Sequence, residues 1–296
     1  PGDERAAAVA AGPVGDTRPG GPRCGACGRR GGPPPGDAME VRAAVVVSTY
    51  ENPRALDLAL RAWSRQRVAP AWVVVADDGS GPATRAVVER WGAVHVCLDH
   101  GEGFGKCRMV NAAVARARAL GATWLLFTDG DCLPARDLLA RHLVECRPAR
   151  FVAGGVIRLP REASEALRED DVDSGRFERM GGNKPHYVLP RPLGHLLDRI
   201  QPRRAPWKGG NSSAWLDDIV RVGGYDQRFG WGLEDNELGE RLRNAGVRGF
   251  SIRYTAPVYH LWHERPWVEP AAIIRHQAML AATRRTRATW TEHGIR

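Results

Sequence analysis

The sequence predicts an α/β protein built on a doubly wound, mostly parallel sheet flanked by helices. Short apolar runs recur along the chain, and most are followed by a stretch with apolar residues at helical spacing. Strands that alternate with helices pair in parallel through right-handed crossovers. Three of these runs end in polar clusters, Thr49-Tyr50-Glu51, Asp77-Asp78 and Asp129-Gly130-Asp131. In sheets of this kind ligands bind beyond the carboxyl ends of the strands, so three such ends together read as one site.

The elements follow in order. Residues 1–38 hold Gly, Pro, Ala and Arg with almost no large apolar side chains, too few to offset the entropy of ordering, and are expected to be a disordered tail. Met39 sits where the composition changes and is a candidate start. "AAVVVST" (43–49) has the β-branched character of a buried parallel strand. Asn52-Pro53 then opens a helix, "PRALDLALRAWSRQ". "AWVVVA" (71–76) is a second strand closed by "DDGSG", 82–91 a helix, and "AVHVCL" (93–98) a third strand. An Ala-rich helix over 108–119 precedes the strand "TWLLFT" (123–128), a helix over 135–146 and the strand "FVAGGVI" (151–157). Residues 161–205 are polar and weakly periodic, expected as loop and short helix over the site. Residues 39–269 are expected to form one domain, with 270–296 an arginine-rich helical tail. No internal repeat is found.

Composition narrows the function. The chain of 296 residues is 43% hydrophobic and 26% charged, enough for a sizeable core. The net charge of +9 favours anionic partners, and only Lys106, Lys184 and Lys208 are lysines. No basic stripe with interleaved aromatics is present, so no nucleic-acid partner is expected. The six cysteines suggest no disulfide framework, and Cys24 and Cys27 are read as free thiols in the tail rather than half of a zinc ribbon. No apolar run is long enough to span a membrane or serve as a signal peptide, so a cytoplasmic protein is expected.

Four motifs carry chemistry. "GEGFGK" (101–106) matches neither the dinucleotide fingerprint nor a phosphate-binding Walker loop, since its glycine spacing is wrong for both. It leaves Lys106 and Arg108 near a helix start, which suits a phosphate. Asp129 and Asp131, with glycine between, are either a turn or two oxygen ligands for Mg²⁺ or Mn²⁺. His260 and His263 in "YHLWHE" are either packing residues or remote ligands, since Mn²⁺ also accepts imidazole. In "FGWGLEDNELGERL", Glu234 and Asp235 are either acids placed for the helix dipole or a carboxylate base beside the aromatic platform of Trp231.

"VVVSTYENP", "VVVADDGSG", "FTDGDCLP", "GGNSSAW", "VGGYDQRFGWGLEDNEL" and "VYHLWHERP", in this order, resemble family 2 glycosyltransferases with the GT-A fold and a galactosyltransferase-type C-terminal region. The likeness runs from about Ala43 to Pro266. It implies a donor half over about 41–158 and an acceptor half over about 205–269. Thr49, Tyr50 and Glu51 would line a nucleotide pocket. Asp78 would bond the base with Asp77 beside it, and Lys106, Arg108 and Asn111 would contact nucleotide or phosphate. Asp129 would face ribose and metal, and Asp131, His260 and His263 would ligate Mn²⁺ or Mg²⁺. Asp235 would be the catalytic base, helped by Glu234, with Trp231, Asn211 and Asn236 on the acceptor side. The family usually has glycine where Leu233 stands and often an acid where Asn236 stands, so acceptor identity does not carry over.

The resemblance implies metal-dependent, inverting hexosyl or N-acetylhexosaminyl transfer from a nucleoside-diphosphate sugar, foremost a UDP-sugar, to a saccharide or lipid-linked acceptor. Cell-surface polysaccharide or lipid-linked glycan synthesis is the expected setting, with peripheral contact at the inner membrane face. The rivals are a sugar-nucleotide pyrophosphorylase, whose usual Gly- and Arg-rich loop after the first strand is missing, and a non-catalytic nucleotide-sugar-binding module.

Overall fold

The computed structural model describes residues 40–100, 105–184, 187, 189, 191–201, 205–264 and 269–295. The tail expected over 1–38, Met39, and residues 101–104 of the glycine loop lie outside them. Eight strands form one sheet: β1 Ala43–Thr49, β2 Trp72–Asp77, β3 Val94–Cys97, β4 Trp124–Asp129, β5 Cys132–Pro134, β6 Arg150–Arg158, β7 Ser212–Trp215 and β8 Arg248–His260. Their order is β3-β2-β1-β4-β7-β6-β8-β5. The helices are α1 Pro53–Ser64, α2 Pro82–Arg90, α3 Lys106–Ala119, α4 Leu138–Val144, α5 Arg161–Ala166, α6 Glu169–Asp173, α7 Arg191–Ile200, α8 Leu216–Arg221, α9 Glu234–Asn244 and α10 Pro270–Thr286.

The half made of β3, β2, β1 and β4 is parallel. Its central strand is buried on both faces. Val45 and Val47 pack with Leu56, Leu60 and Trp63 of α1, while Ala44 and Val46 pack with Val110, Ala113 and Val114 of α3. That double burial is why β1 is a continuous apolar run and not an alternating one. α1 starts where expected because the Asn52 side chain accepts the Ala55 N–H at 3.2 Å and Pro53 fixes the first turn.

The other half is mixed. β7 runs antiparallel to both β4 and β6, so the expected fifth strand is not next to β4. β8 lies parallel to β6, and β5 antiparallel to β8. Between the pairs Gly154–Ile252 and Gly155–Pro257 the register slips, and β8 carries extra residues in a bulge. A Cβ on Gly154 would run into the Asn211 amide, and one on Gly155 into the Arg253 carbonyl, so the bulge needs both glycines.

These pairings place the site. Thr49 pairs with Asp77 and Ser48 with Asp129, which brings three strand ends to one edge. The chain then turns at Gly130, whose N–H donates to the Ser48 carbonyl at 2.7 Å. β5 pairs Cys132 with His260, and Leu261 N–H donates to the Asp131 carbonyl at 2.9 Å. Antiparallel pairing thus carries two histidines to an aspartate more than a hundred residues earlier in the chain. Among the described residues no helix is long and apolar enough to cross a membrane.

Candidate active site

A cleft of about 1350 Å³ opens over these strand ends. At one end Tyr50, exposed at the rim, stacks on His100 with ring centroids 4.5 Å apart. Glu51 has a left-handed backbone, φ +44°, held by its N–H donating to Ser80 Oγ at 2.8 Å and its Oε1 accepting the Gly81 N–H at 2.9 Å. Asp78 Oδ2 accepts the Gly105 N–H at 2.9 Å and faces His100 Nδ1 at 3.2 Å. Among the described residues Asp78 Oδ1 is buried without a hydrogen bond. A buried carboxylate oxygen in that state is costly unless a ligand donates to it. His100 carries no motif signal; only the stacking and the contact with Asp78 reveal it.

Four residues expected at the site do not line the cleft. Asp77 is fully buried and ties the loop together, accepting Ser80 N–H at 3.0 Å and Oγ at 2.5 Å, with His95 Nε2 at 2.9 Å. Arg108 donates to the Asp99 carbonyl at 2.5 Å and stands 3.8 Å from Asp78 Oδ1. Asn111 pins α3 to the Tyr225 backbone with two 2.8 Å bonds. Asn211, expected on the acceptor side, lies beneath the cleft. Its amide donates to the Gly155 and Ala256 carbonyls at 2.7 and 2.9 Å, and its oxygen faces His142 Nε2 at 2.9 Å. These bonds hold β6, β8 and α4 together.

At the centre, Ser48 Oγ and Lys106 Nζ both donate to Asp129 Oδ1, at 2.7 and 2.8 Å. Asp131 lies beyond, with His263 Nε2 at 3.1 Å and His260 Nε2 at 3.7 Å. The two rings stack 5.2 Å apart. His260 Nδ1 donates to the Leu261 carbonyl at 2.6 Å and His263 Nδ1 to the Glu264 carbonyl at 2.7 Å. A carbonyl can only accept, so each Nδ1 carries a proton, which leaves each Nε2 as the atom that faces Asp131 and would offer its lone pair to a metal. That is the tautomer a metal-ligating histidine needs, with the backbone carbonyl orienting the ring. Asp131, His260 and His263 offer ligand atoms within 4.8 Å of one another, and the set fits a divalent cation that accepts both oxygen and imidazole.

The third part is the acid pair at the start of α9. Glu234 and Asp235 occupy its first turn, where the helix dipole favours negative charge. Asp235 Oδ1 accepts the Tyr225 hydroxyl at 2.9 Å, and Tyr225 in turn accepts Trp207 Nε1 at 2.9 Å. A Cβ on Gly209 would lie 2.5 Å from Asp235 Oδ1, so the acid can sit there only because residue 209 has no side chain. Burial, reinforced by the neighbouring Asp235, pushes Glu234 up to about 7. Burial also raises Asp235, partly offset by Lys106. Lys106, 4.0 Å from Glu234, joins the two ends of the site. Burial opposes its charge, but Asp129, Asp235 and Glu234 outweigh that and hold the ammonium well above its ordinary range.

Trp231 and Asn236 line the cleft beside these acids, as do Ala272 and Arg275 of α10. The helix expected as a tail is therefore a wall of the site. Its His276 is fully buried and holds the loop around Trp231. The Gly230 N–H donates to His276 Nε2 at 3.4 Å, and His276 Nδ1 donates to the Gly232 carbonyl at 2.9 Å.

Residues 44–184 match the family model described as glycosyl transferase family 2, and residues 198–264 the one described as N-terminal domain of galactosyltransferase. A validoxylamine A glucosyltransferase of Streptomyces hygroscopicus subsp. limoneus is 32% identical over 232 residues, covering 73% of this chain and 51% of the relative. The chain belongs to glycosyltransferase family 2. This family member spans about half the length of the curated Streptomyces relatives it matches. Solved glycosyltransferases share its GT-A fold. The mannosyltransferase PcManGT from Pyrobaculum calidifontis, in complex with GDP-Man and Mn²⁺, superposes with a TM-score of 0.54 at 18% identity over 85% of this chain and 73% of its own. GalNAc-T7 with UDP, GalNAc and Mn²⁺ superposes with a TM-score of 0.58 at 15% identity over 83% of this chain and 48% of its own.

Proposed function

We propose that this family 2 chain transfers a hexosyl or N-acetylhexosaminyl group from a nucleoside-diphosphate sugar to a hydroxyl, with inversion at the anomeric carbon. One observation carries this reading. The Asp131–His260–His263 set and the Glu234–Asp235 pair share one cleft, linked through Lys106 and Asp129. Asp78 Oδ1, which accepts no hydrogen bond among the described residues, supports a base that donates one, as uracil can, and the Tyr50–His100 stack supports an aromatic ring at the rim. The nucleotide complexes of the two structural neighbours favour a UDP- or GDP-sugar. The name of the Streptomyces relatives puts glucose among the first sugars to try.

Asp235 takes the proton of the acceptor hydroxyl as that oxygen bonds to the anomeric carbon from the face opposite the leaving group. The bond from the anomeric carbon to the diphosphate breaks, and the diphosphate leaves with its electron pair. Tyr225 holds Asp235 in place, and Lys106 supplies a fixed positive charge beside the departing phosphates. Asp131, His260 and His263, with Asp129 near them, would hold Mn²⁺ or Mg²⁺, which would neutralise charge developing on the leaving diphosphate. Two imidazoles favour Mn²⁺. Glu234, Trp231 and Asn236 shape the acceptor side. Residues 41–158 serve as the donor half and 205–269, together with α10, as the acceptor half. The acceptor we propose is a saccharide, free or lipid-linked, in cell-surface glycan synthesis at the inner membrane face.

A screen of nucleotide sugars for hydrolysis with Mn²⁺ tests this. Release of a nucleoside diphosphate from at least one donor is expected. A binding module would release none, and a pyrophosphorylase would need a nucleoside triphosphate and release pyrophosphate.

A further inference from the structure

Of the 43 basic residues only three are lysine, Lys106, Lys184 and Lys208. All three line the cleft. Lys106 is matched by Asp129. Lys208 Nζ donates to the Gly154 carbonyl at 2.8 Å, and Lys184 Nζ lies 5.3 Å from the Tyr187 ring centroid. Among the described residues neither ammonium forms an ion pair, and nor does the Arg158 guanidinium at the end of β6, which lines the same cleft. Elsewhere arginines pair closely with acids, as Arg228 does with Asp226 at 2.6 Å and Arg241 with Glu237 at 2.6 Å. Burial, with repulsion from Lys184 and Arg253, pushes the Lys208 ammonium down to about 8. Like charges gathered without a counter-charge favour an incoming anion.

The position of the group says which ligand it meets. Gly209, the residue after Lys208, backs onto Asp235, so the backbone that carries Lys208 borders the proposed base while its ammonium turns away to the Gly154 carbonyl. Arg158, in register with His260, exchanges two hydrogen bonds with Asn183, the residue before Lys184, at 2.9 and 3.1 Å. Lys106, tied to Asp129, already serves the donor side.

We propose that Lys184 and Lys208, with Arg158, form an anion subsite that takes an oxyanion, phosphate or carboxylate, carried by the acceptor. This rests on the transferase reading for the word acceptor; the same oxyanion chemistry is also present in the donor diphosphate, and the test separates the two. The full chain is loaded with saturating UDP and Mg²⁺, and inorganic phosphate or glucuronate is titrated in by calorimetry. At least one of these anions is expected to bind the loaded protein. Lys184→Gln and Lys208→Gln are each expected to weaken it at least fivefold while UDP affinity stays within twofold. Failure of both anions to bind the loaded protein, displacement of the anion by UDP, or anion affinity unchanged in both variants would overturn the subsite. Should the half-buried Lys208→Gln fail to fold, Lys184→Gln and Arg158→Gln carry the same test. A wild-type chain that binds the anion through these lysines but never binds UDP would instead sink the donor reading and leave the anion site standing.

Discussion

Asp235 and Glu234 are adjacent in sequence yet sit in different electrostatic positions. Asp235 accepts from Tyr225, and its chemistry as a base makes a sharp prediction: Asp235→Asn should lower donor hydrolysis or transfer by about 10²–10⁴-fold while UDP affinity is unchanged. Full activity in that variant would remove the assignment. Glu234 is an acid whose folded pKa is raised by burial and by Asp235 to about 7. The folded state therefore holds its proton more tightly than the unfolded chain does. Its burial costs nothing in acid, costs progressively more as pH rises from the ordinary glutamate range to about 7, and stays constant above that. Wild-type melting temperature should fall relative to Glu234→Gln across that window, and parallel curves for the two proteins would contradict the shift. Residue identity alone was an uneven guide at this scale. Asp131, His260 and His263 were legible as candidate ligands, and the fold brings their side chains together. Asn111 and Asn211 were not legible as structural pins, because an asparagine in a motif can serve a ligand or the backbone and only its buried partners decide. Leu233 is instructive in another way. It stands at φ +71° where glycine is usual in the family, and a left-handed conformation costs a side chain roughly 1–2 kcal/mol; its packing against the core offsets part of that.

Among the elements, β1 to β4 with α1 to α3 could be read directly, since β1, β2 and β4 are apolar runs with buried cores, β3 is a short edge strand whose two valines pack on the core, and each helix carries an apolar stripe. β7 could not. It is four residues, Ser212–Trp215, and its two serines look like loop although they are buried: Ser213 Oγ meets His142 Nδ1 at 2.7 Å, and Ser212 Oγ accepts the Lys208 N–H at 2.8 Å. β8 was hidden by Pro257 and by its bulge, which break the alternation a strand normally shows. α10 was read as a helix but not as part of the site, because nothing in its sequence says that His276 grips the backbone on both sides of Trp231. His276→Phe keeps an aromatic ring beside Phe229 and loses both bonds. Hydrogen exchange over residues 229–233 should then quicken at least tenfold while peptides of β1 and β4 stay protected, and stability should fall by about 1–3 kcal/mol. Unchanged exchange in the loop would show that α10 does not hold it.

For the whole molecule, a parallel half that ends in Thr49, Asp78 and Asp129 meets a mixed half that supplies the histidines and the acid pair. The sequence disclosed that strand ends would gather polar residues, because parallel topology requires it. It did not disclose how the two halves meet, because that depends on antiparallel pairings of β5, β7 and β8 between segments far apart in the chain. The central claim is that this meeting creates a metal-dependent nucleotide-sugar site. Calorimetric UDP affinity, with and without Mn²⁺, in the wild-type chain and in Asp131→Ala tests it most directly. Mn²⁺ is expected to tighten UDP binding at least tenfold in the wild type and hardly at all in Asp131→Ala; equal wild-type affinity with and without Mn²⁺ would contradict a metal-dependent site.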